Sequence, residues 1–466
     1  MDIIKILWVD DEIELLKPHV MFLQSKGYGV DTLVSGDEAL EELGKNNYDI
    51  VFLDENMPGL SGIETLMRIK NIQPNLPVVM ITKSEEEIIM EDAIGANIAD
   101  YLIKPVNPNQ ILLCLKKNLD HRKIKTEKKT HAYQQEFRNI GTEIDSDLSF
   151  KQWKEVYKKL VYWEIELDSV YDAGMLEVLK MQKAEANQVF SKFIEKNYRN
   201  WLNNKSDEKP LFSHTILRKK LFPVLQNTDK PVFLLLIDNL RFDQWKVLQP
   251  IIEQNYRIEE EDIFLSILPS VTQYARNALF SGMMPSEIVK KYPQYWTSEN
   301  DEGTKNKYEE ELLGEYLKRF GMRDVKYSYN KILSVNAGRK LSDNLSQLMD
   351  KDLNVIVYNF IDMLSHARTE MEIIRELADD ESAYRSLTLS WFEHSPLKDI
   401  IDKLSEKDVK VIITTDHGSV KVDNPVKIVG DRSTNKNLRY KTGKNLNFNH
   451  KEAFDVRNPE ELFLPK

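Results

Sequence analysis

This sequence of 466 residues has a single cysteine, few long apolar runs and no excess of positive charge. Its single cysteine, Cys114, cannot form a disulfide within the chain, which fits a reducing compartment. The N-terminus lacks the charged and apolar regions of a signal peptide, and no apolar run approaches the roughly 18–20 residues that span a bilayer. We therefore expect a cytoplasmic protein without membrane insertion.

Acidic residues outnumber basic ones, with 75 Asp and Glu against 64 Lys and Arg and a formal net charge of −11. This balance weighs against broad non-specific DNA affinity. A dense basic run, Lys116–Lys129, has two interpretations: a solvated extension of a helix, which is favoured, or a nucleic-acid patch. No compact helix-turn-helix pattern is present, so an ordinary DNA-binding regulator is the weakest hypothesis.

The first 120 residues alternate between strand-like runs and amphipathic segments, two of which begin at the N-cap residues Ser35 and Ser84. The strand-like runs are Ile4–Val9, Tyr28–Leu33, Asp49–Leu53, Val78–Thr82 and Asp100–Ile103. Five βα units predict a parallel sheet with helices on both faces. We assign residues 1–120 to this first domain.

Two further parts follow. Residues 121–229 carry aromatic and aliphatic side chains at helical spacing, which predicts a helical bundle with these side chains in its core: Trp153, Tyr157, Leu160, Phe190, Phe193, Tyr198 and Trp201. Between residues 230 and 466, continuous apolar runs return at Val232–Ile237, Val355–Phe360 and Val411–Ile413. They predict a second α/β domain with a largely parallel sheet.

Charged residues stand at the ends of three strands of the first sheet. Asp10 and Asp11 follow the first strand, Asp54 follows the third and Lys104 follows the fifth. The carboxyl ends of parallel strands meet at one edge, so three carboxylates and an ammonium converge there. The carboxylates repel one another unless a cation is held among them, and Mg²⁺ prefers such oxygen ligands.

With Met57-Pro58-Gly59, Gly62, Thr82 and Pro105, these residues resemble the receiver family of response regulators across residues 1–120. The resemblance implies that Asp54 accepts a phosphoryl group from a cognate sensor histidine kinase, with Asp10 and Asp11 as Mg²⁺ ligands. It also implies a set of switch residues: Thr82, Tyr101 and Lys104. Receivers commonly dimerise when phosphorylated, so we expect a homodimer in that state.

Acidic and imidazole side chains also follow the strands of the second sheet. Asp238 follows the first run, Asp416 and His417 follow the last, and Asp362 lies four residues before His366. If Asp362 and His366 open a helix, this spacing puts both side chains on one face. Mixed Asp and His ligands favour Zn²⁺ or Mn²⁺ over Ca²⁺.

A threonine stands at a predicted helix start in the same domain. Phe264–Leu268 is a further apolar element that leads into Thr272, and the helix-like segment Tyr274–Phe280 follows. Free N–H groups and the helix dipole favour an anion at such a position. A metal there would help to ionise the Thr272 hydroxyl.

Five stretches resemble the alkaline phosphatase superfamily, and most closely its PglZ branch: Leu236–Arg241, Pro269–Thr272, Leu279–Pro285, Asn359–Asp362 and Thr415–Gly418. The resemblance implies that Thr272 is a nucleophile and that two Zn²⁺ ions are bound. One ion would take Asp238, Thr272, Asp416 and His417, and the other would take Asp362 and His366. The implied activity is a phosphatase or phosphodiesterase that acts on nucleotides or oligonucleotides.

A receiver joined through helices to a PglZ domain is similar to response regulators that control type IX secretion and transcription. The second metal of the PglZ branch usually takes another His, from a C-terminal motif that this sequence does not contain. Three explanations stay open: a truncated C-terminus, which is favoured, substitution by His450, or an incomplete second site. The alternative to an enzyme is a catalytically weak metal-binding scaffold that recruits a sigma factor or a secretion component.

Overall fold

The computed structural model describes residues 3–83, 98–169, 173–203, 209–298, 304–422, 424–432, 434–435 and 437–465, with the backbone alone at 120–128 and 173. The chain forms two compact units. One comprises Met1–Asn139 with Glu166–Val178, and the other comprises Ile140–Ile165 with Leu179–Lys466. Each unit contains a parallel sheet with helices, so the predicted α/β class is confirmed.

The first unit contains five parallel strands in the order β2-β1-β3-β4-β5. Their bounds are β1 Lys5–Val9, β2 Gly29–Leu33, β3 Ile50–Asp54, β4 Val78–Thr82 and β5 Asp100–Ile103, within one residue of the predicted runs. Side chains along β1 alternate between two hydrophobic clusters, with Ile6 and Trp8 in one and Leu7 and Val9 in the other. The sheet therefore buries both faces, as continuous apolar strands require.

Helices in this part of the chain span Lys17–Ser25, Gly36–Leu43, Gly62–Ile72 and Pro108–Ile144, with a 3₁₀ turn at Ile13–Leu16. Ser35 caps its helix as predicted, since its Oγ accepts a hydrogen bond from the Glu38 N–H at 3.4 Å. The helix predicted to begin at Ser84 lies outside the described residues. The last helix runs through the whole basic stretch, which confirms the predicted helical extension.

The middle of the chain is helical, as predicted, with long helices at Phe150–Asp168 and Ala173–Leu202. Shorter turns follow at Ser213–Ile216, Leu217–Leu221 and Phe222–Gln226. Trp153 packs edge-on against Phe190 at 5.3 Å between ring centroids, and Phe193 packs against Trp201 at 5.4 Å. These aromatic side chains pack against one another, and the burial of Trp153, Leu160, Tyr198 and Trp201 confirms the predicted core at those positions. The prediction is wrong for Tyr157, which is 40% exposed.

The second sheet has four parallel strands in the order β7-β8-β6-β9. Their bounds are β6 Val232–Ile237, β7 Tyr327–Ile332, β8 Leu353–Tyr358 and β9 Lys410–Thr414. The sequence patterns predicted three of these strands and missed β7. The predicted element Phe264–Leu268 is wrong as a strand, because only Leu265 forms an isolated bridge, to Phe212.

Helices again lie between the strands of this sheet. They span Phe242–Ile252, Thr272–Ser281, Pro285–Lys291, Glu309–Arg319, Val335–Asp343, Phe360–Glu370, Glu372–Leu377, Glu381–Glu393 and Pro396–Ser405, with 3₁₀ turns at Pro293–Tyr295, Leu345–Leu348 and Pro459–Leu462. β6 contributes Leu234 to one hydrophobic cluster and Leu235 to another, so this sheet is also covered on both faces. None of the described helices is long and apolar enough to cross a bilayer.

Candidate metal centres

The structure brings the predicted charged residues of the first sheet together at its carboxyl edge. Lys104 Nζ lies 2.9 Å from Asp10 Oδ2 and 2.7 Å from Asp54 Oδ1. Asp10 and Asp54 are 0% and 1% exposed. One ammonium group thus bridges two carboxylates that have been removed from water.

The acidic cluster fits a divalent cation. Asp10, Asp11 and Asp54 each offer a carboxylate oxygen, and these atoms lie within 4.8 Å of one another. Burial raises the pKa of Asp54, and although Lys104 lowers it, the charge of Asp10 adds to the upward shift. Among the described residues, Asp54 Oδ2 is buried without a hydrogen-bond partner. An oxygen-only, negatively charged cluster with an unsatisfied oxygen suits Mg²⁺, which Asp10, Asp11 and Asp54 would hold.

The backbone approaches the end of β3 closely at Gly62. A Cβ there would lie 2.4 Å from Asp54 O and 2.7 Å from Glu55 Cα, so only glycine allows this helix to begin beside β3. The other predicted switch residues lie on neighbouring strands. Thr82 is buried at the end of β4, whereas Tyr101 on β5 is 44% exposed.

In the second unit, Thr272 is the first residue of its helix, as predicted. Its Oγ1 lies 3.0 Å from His417 Nε2. His417 Nδ1 is 3.2 Å from Gly418 O, and this backbone acceptor places the imidazole proton on Nδ1. Nε2 is then left with a free lone pair that faces the threonine hydroxyl, the arrangement that a metal-binding histidine requires.

Asp238, Asp416 and His417 form the second candidate centre, with ligand atoms within 4.8 Å of one another. All three are buried. Burial, followed by the charge of Asp416, raises the pKa of Asp238 to about 8. Burial acts in the same sense on Asp416, but His417 and Arg276 outweigh it and lower the pKa of Asp416 to about 2.

The two carboxylates differ because their hydrogen bonds differ. Asp416 Oδ1 accepts from the His417 N–H at 3.0 Å, and its Oδ2 accepts from Arg276 Nε at 3.1 Å. Within the described part of the chain, Asp238 Oδ1 is buried without any hydrogen-bond partner. The unsatisfied oxygen, the neighbouring carboxylate and the imidazole lone pair fit Zn²⁺, which Asp238, Asp416 and His417 would hold beside Thr272.

The sequence patterns missed Arg276, although it lies at the centre of this cluster. Its side chain is 0% exposed, and its guanidinium donates to Asp238 Oδ2 as well as to Asp416. Its Nε is also 3.5 Å from Glu309 Oε1, and Glu309 is in turn paired with Lys331 Nζ at 2.9 Å. The available signal was its position four residues after Thr272, which puts both on one helix face.

The residues predicted for a second metal form a pair. Asp362 and His366 lie in the helix Phe360–Glu370, with His366 Nε2 3.6 Å from Asp362 Oδ2. Asp362 Oδ1 accepts from Asn239 Nδ2 at 3.3 Å, and the Asn239 N–H is 3.4 Å from Asp416 Oδ1, so one asparagine links this pair to the buried centre. Among the described residues, no third acidic, His or Cys ligand completes the pair.

His450 was the substitute considered for the missing ligand. Its Nδ1 lies 3.6 Å from Asp455 Oδ2, and its ring packs against Phe448 at 4.6 Å between centroids. The side chain is 64% exposed. These contacts are those of a surface histidine, and they leave its role in a metal site as an untested prediction.

Family comparisons match three consecutive parts of the chain. The model of the response regulator receiver domain matches residues 6–116, and that of the PorX response regulator linker domain matches residues 123–202. The model of the BREX system PglZ alkaline phosphatase-like domain matches residues 216–462, more than half of the chain.

Relatives and solved structures resemble shorter parts. The transcriptional regulatory protein ResD of Bacillus subtilis is 36% identical over 112 residues, which cover 24% of this chain and 46% of ResD. A CpxR homolog of Haemophilus influenzae is 40% identical over 114 residues, which cover 24% of this chain and 48% of the homolog. The chain thus spans about half the length of these relatives. The crystal structure of Thermotoga maritima TrrA with Mg²⁺ and BeF is 31% identical, with 25% of this chain and 100% of that chain covered and a TM-score of 0.24.

Proposed function

Since this chain belongs to the PglZ family of alkaline phosphatase-like proteins, in the PorX-type arrangement that joins a receiver to a PglZ domain, we propose that it is a switched phosphoesterase. Phosphorylation of Asp54 by a sensor histidine kinase is the input. Phosphoester cleavage at Thr272 is the output. In this assignment, residues 1–120 are the receiver, 121–229 the helical connection and 230–466 the catalytic domain.

The contact between Thr272 Oγ1 and His417 Nε2, 3.0 Å long and beside Asp238 and Asp416, carries the proposal. A bound Zn²⁺ would lower the pKa of the hydroxyl and offset the charge of the phosphoryl oxygens. The Thr272 hydroxyl would lose its proton to water, and Oγ1 would form a bond to phosphorus while the bond to the leaving oxygen breaks and that oxygen departs as an anion or takes up a proton from water. Water would then hydrolyse the phosphothreonine and restore the hydroxyl. Backbone N–H groups in the first turn of the Thr272 helix would stabilise the negative charge of the phosphoryl group during both steps.

We further propose nucleotides or oligonucleotides as substrates, and control of type IX secretion and transcription as the role of the switch. The match of residues 123–202 to the PorX linker supports the secretion role. The similarity of the receiver part to ResD and the CpxR homolog, both transcriptional regulatory proteins, supports the role in transcription. A sigma factor or a secretion component would be the downstream partner, in the cytoplasm.

The test compares wild-type protein with Thr272→Ala and Thr272→Ser after loading with Zn²⁺. We expect the wild type to hydrolyse bis(4-nitrophenyl) phosphate, the alanine variant to lose turnover, and the serine variant to retain part of it because a hydroxyl remains. Zinc content and melting temperature are measured for all three proteins as the control, because Thr272 is itself a predicted zinc ligand and only a variant that keeps its metal and its fold isolates the loss of the hydroxyl.

A metal-binding scaffold is the second candidate, and the two-ligand pair Asp362 and His366 favours it. A scaffold needs ligands for the metal but no nucleophile. If zinc-loaded wild type is no more active than Thr272→Ala on monoesters, diesters and oligonucleotides, the scaffold takes the place of the enzyme.

A further inference from the structure

Basic residues concentrate in one stretch that follows the Asp416-His417 motif. Between residues 421 and 451 the sequence has eight Lys or Arg and two Asp, a net charge of +6 in a chain whose total is −11. The stretch also has six asparagines and little regular secondary structure. A local excess of positive charge of this kind attracts polyanions.

Part of this stretch folds back on itself. Val429 and Asn447 exchange two backbone hydrogen bonds, of 2.9 and 2.8 Å, and the Asn435 N–H donates to Thr442 O at 3.1 Å. We call the described residues 429–432, 434–435 and 437–447 the basic loop. Its tip, between the second pair of residues, contains Arg439.

The tip of the basic loop lies against both flanks of Thr272. The Arg439 guanidinium donates to Ser270 O, two residues before the threonine. The Tyr440 ring packs edge-on against Tyr274, two residues after it, at 5.9 Å between centroids. Contacts with residues before and after Thr272 in the chain thus hold the loop near the start of its helix.

The positive charge of Arg439 is available to a ligand. Among the described residues, no carboxylate lies within ion-pair distance of it, and the side chain is exposed. Partial desolvation of the guanidinium lowers the pKa of Arg439, and Asp362, Asp416 and Asp238 act to raise it, in accord with its contacts beside Ser270 and His417. An arginine remains protonated in either case.

The guanidinium does not reach the attacking oxygen. Arg439 Nη1 is 3.4 Å from His417 Nδ1, whereas Thr272 Oγ1 contacts Nε2 across the ring. With the proton on Nδ1 directed to Gly418 O, Arg439 approaches the ring without accepting or donating a hydrogen bond there. Because Arg439 contacts one nitrogen of the imidazole and Thr272 the other, a phosphate group beside the scissile one fits Arg439 better than the scissile group itself.

We infer that the basic loop forms a second phosphate subsite, in which Arg439 binds a phosphate group that flanks the scissile one. The inference rests on the proposed chemistry at Thr272 and adds a specificity-determining residue to it. A guanidinium pairs with two phosphate oxygens at once, so the subsite favours substrates with more than one phosphate. A diester with a single phosphate gains nothing from it.

Direct binding tests the subsite without turnover. Zinc-loaded protein in the Thr272→Ala background is titrated into a fluorescein-labelled single-stranded hexanucleotide, and anisotropy is followed at several salt concentrations. Arg439→Gln should weaken binding about tenfold or more, as expected when hydrogen bonds to a charged group are lost. It should also reduce the slope of log K against log salt by about 0.7. Arg457→Gln, which removes an arginine that is 84% exposed and paired with Asp455, is the matched control and should change binding little.

Kinetics distinguish whether Arg439 binds the flanking phosphate or the scissile one. In the otherwise wild-type protein, Arg439→Gln should raise KM for the hexanucleotide and leave kcat/KM for bis(4-nitrophenyl) phosphate within about twofold, because that diester has no flanking group to bind. Equal losses on both substrates would place Arg439 at the reacting phosphate and overturn the inference, as would hexanucleotide binding that matches the Arg457→Gln control. If wild type hydrolyses neither substrate, the proposed function fails, and the binding titration still decides for or against the subsite.

Discussion

Replacing Arg276 with methionine tests how the buried metal centre is held together. The guanidinium is fully buried and donates to Asp238 and to Asp416, so its loss leaves two carboxylates without their cation in a region that excludes water. Breaking a buried ion pair by removal of one partner costs about 3–5 kcal/mol. We expect about 3 kcal/mol, the lower end of that range. The reason is that Asp238, whose pKa burial and Asp416 raise to about 8, is already largely protonated at neutral pH, so the variant leaves mainly the charge of Asp416 without its cation.

The assay is thermal unfolding of metal-free protein in EDTA. For a domain the size of the matched PglZ region, 1 kcal/mol corresponds to about 2–4 °C, so Arg276→Met should lower Tm by roughly 6–12 °C. The matched control is Arg457→Met, which breaks an exposed pair with Asp455 worth no more than about 1 kcal/mol. Saturating Zn²⁺ should narrow the difference between Arg276→Met and wild type, because the dication offsets the same two carboxylates. An unchanged Tm in EDTA would refute the view that Arg276 balances their charge.

Two further predictions concern pH and assembly. Burial, with help from Lys209 and Arg218, lowers the pKa of His214 to about 4 from 6.5. The unfolded chain therefore binds a proton that the folded chain rejects, and stability present above pH 6.5 is lost as the pH falls towards 4, by about 3 kcal/mol at most. His214→Gln should flatten urea-unfolding free energies measured across that window, and a slope equal to wild type would contradict this. Phosphorylation of Asp54 by acetyl phosphate should produce a dimer in sedimentation velocity, since it adds about −1.5 to −2 charges at a buried site. Asp54→Asn should stay monomeric, and identical sedimentation of phosphorylated and untreated wild type would count against a phosphorylation-driven dimer.

The buried strands could be predicted from the sequence because both of their faces are apolar. β6 reads Val-Phe-Leu-Leu-Leu-Ile and is buried at every position, so its pattern is independent of what packs on it. β7 reads Tyr-Ser-Tyr-Asn-Lys-Ile, lies at the edge of the sheet and is buried only at Ile332. Its polar side chains are satisfied by tertiary partners such as Glu309, which bonds to Tyr329 and to Lys331. The local sequence of β7 does not indicate those partners.

The candidate sites divide in the same way. Asp238 directly follows β6 and Asp416 lies two residues after β9, and these strands are parallel neighbours, so topology alone predicts that the two carboxylates meet at one edge. Arg276 was detectable in principle, because an arginine amid the apolar residues of a buried helix needs a charged partner. Arg439 was not, since its contact with Ser270 joins positions 169 residues apart, and the described residues around Arg439 form no helix or strand whose pattern could be recognised. Only the folded chain shows that the basic loop belongs to the site.

In each of the two candidate metal centres, one cationic side chain offsets the repulsion between two buried carboxylates. The cation is a lysine in one centre and an arginine in the other, and this difference affects whether the side chain can also contact a phosphate. Lys104 and Arg276 each bridge a pair of buried carboxylates, but Lys104 is 15% exposed at its side chain whereas Arg276 is 0% exposed. An ammonium on a flexible stem stays able to meet a phosphoryl group as it forms on Asp54. A guanidinium whose fork is already shared between Asp238 and Asp416 has no such freedom, so Arg276 holds the centre and cannot also bind substrate. The scissile phosphate would lie beside the metal at Thr272, and Arg439 on the basic loop would meet the charge of a phosphate that flanks it.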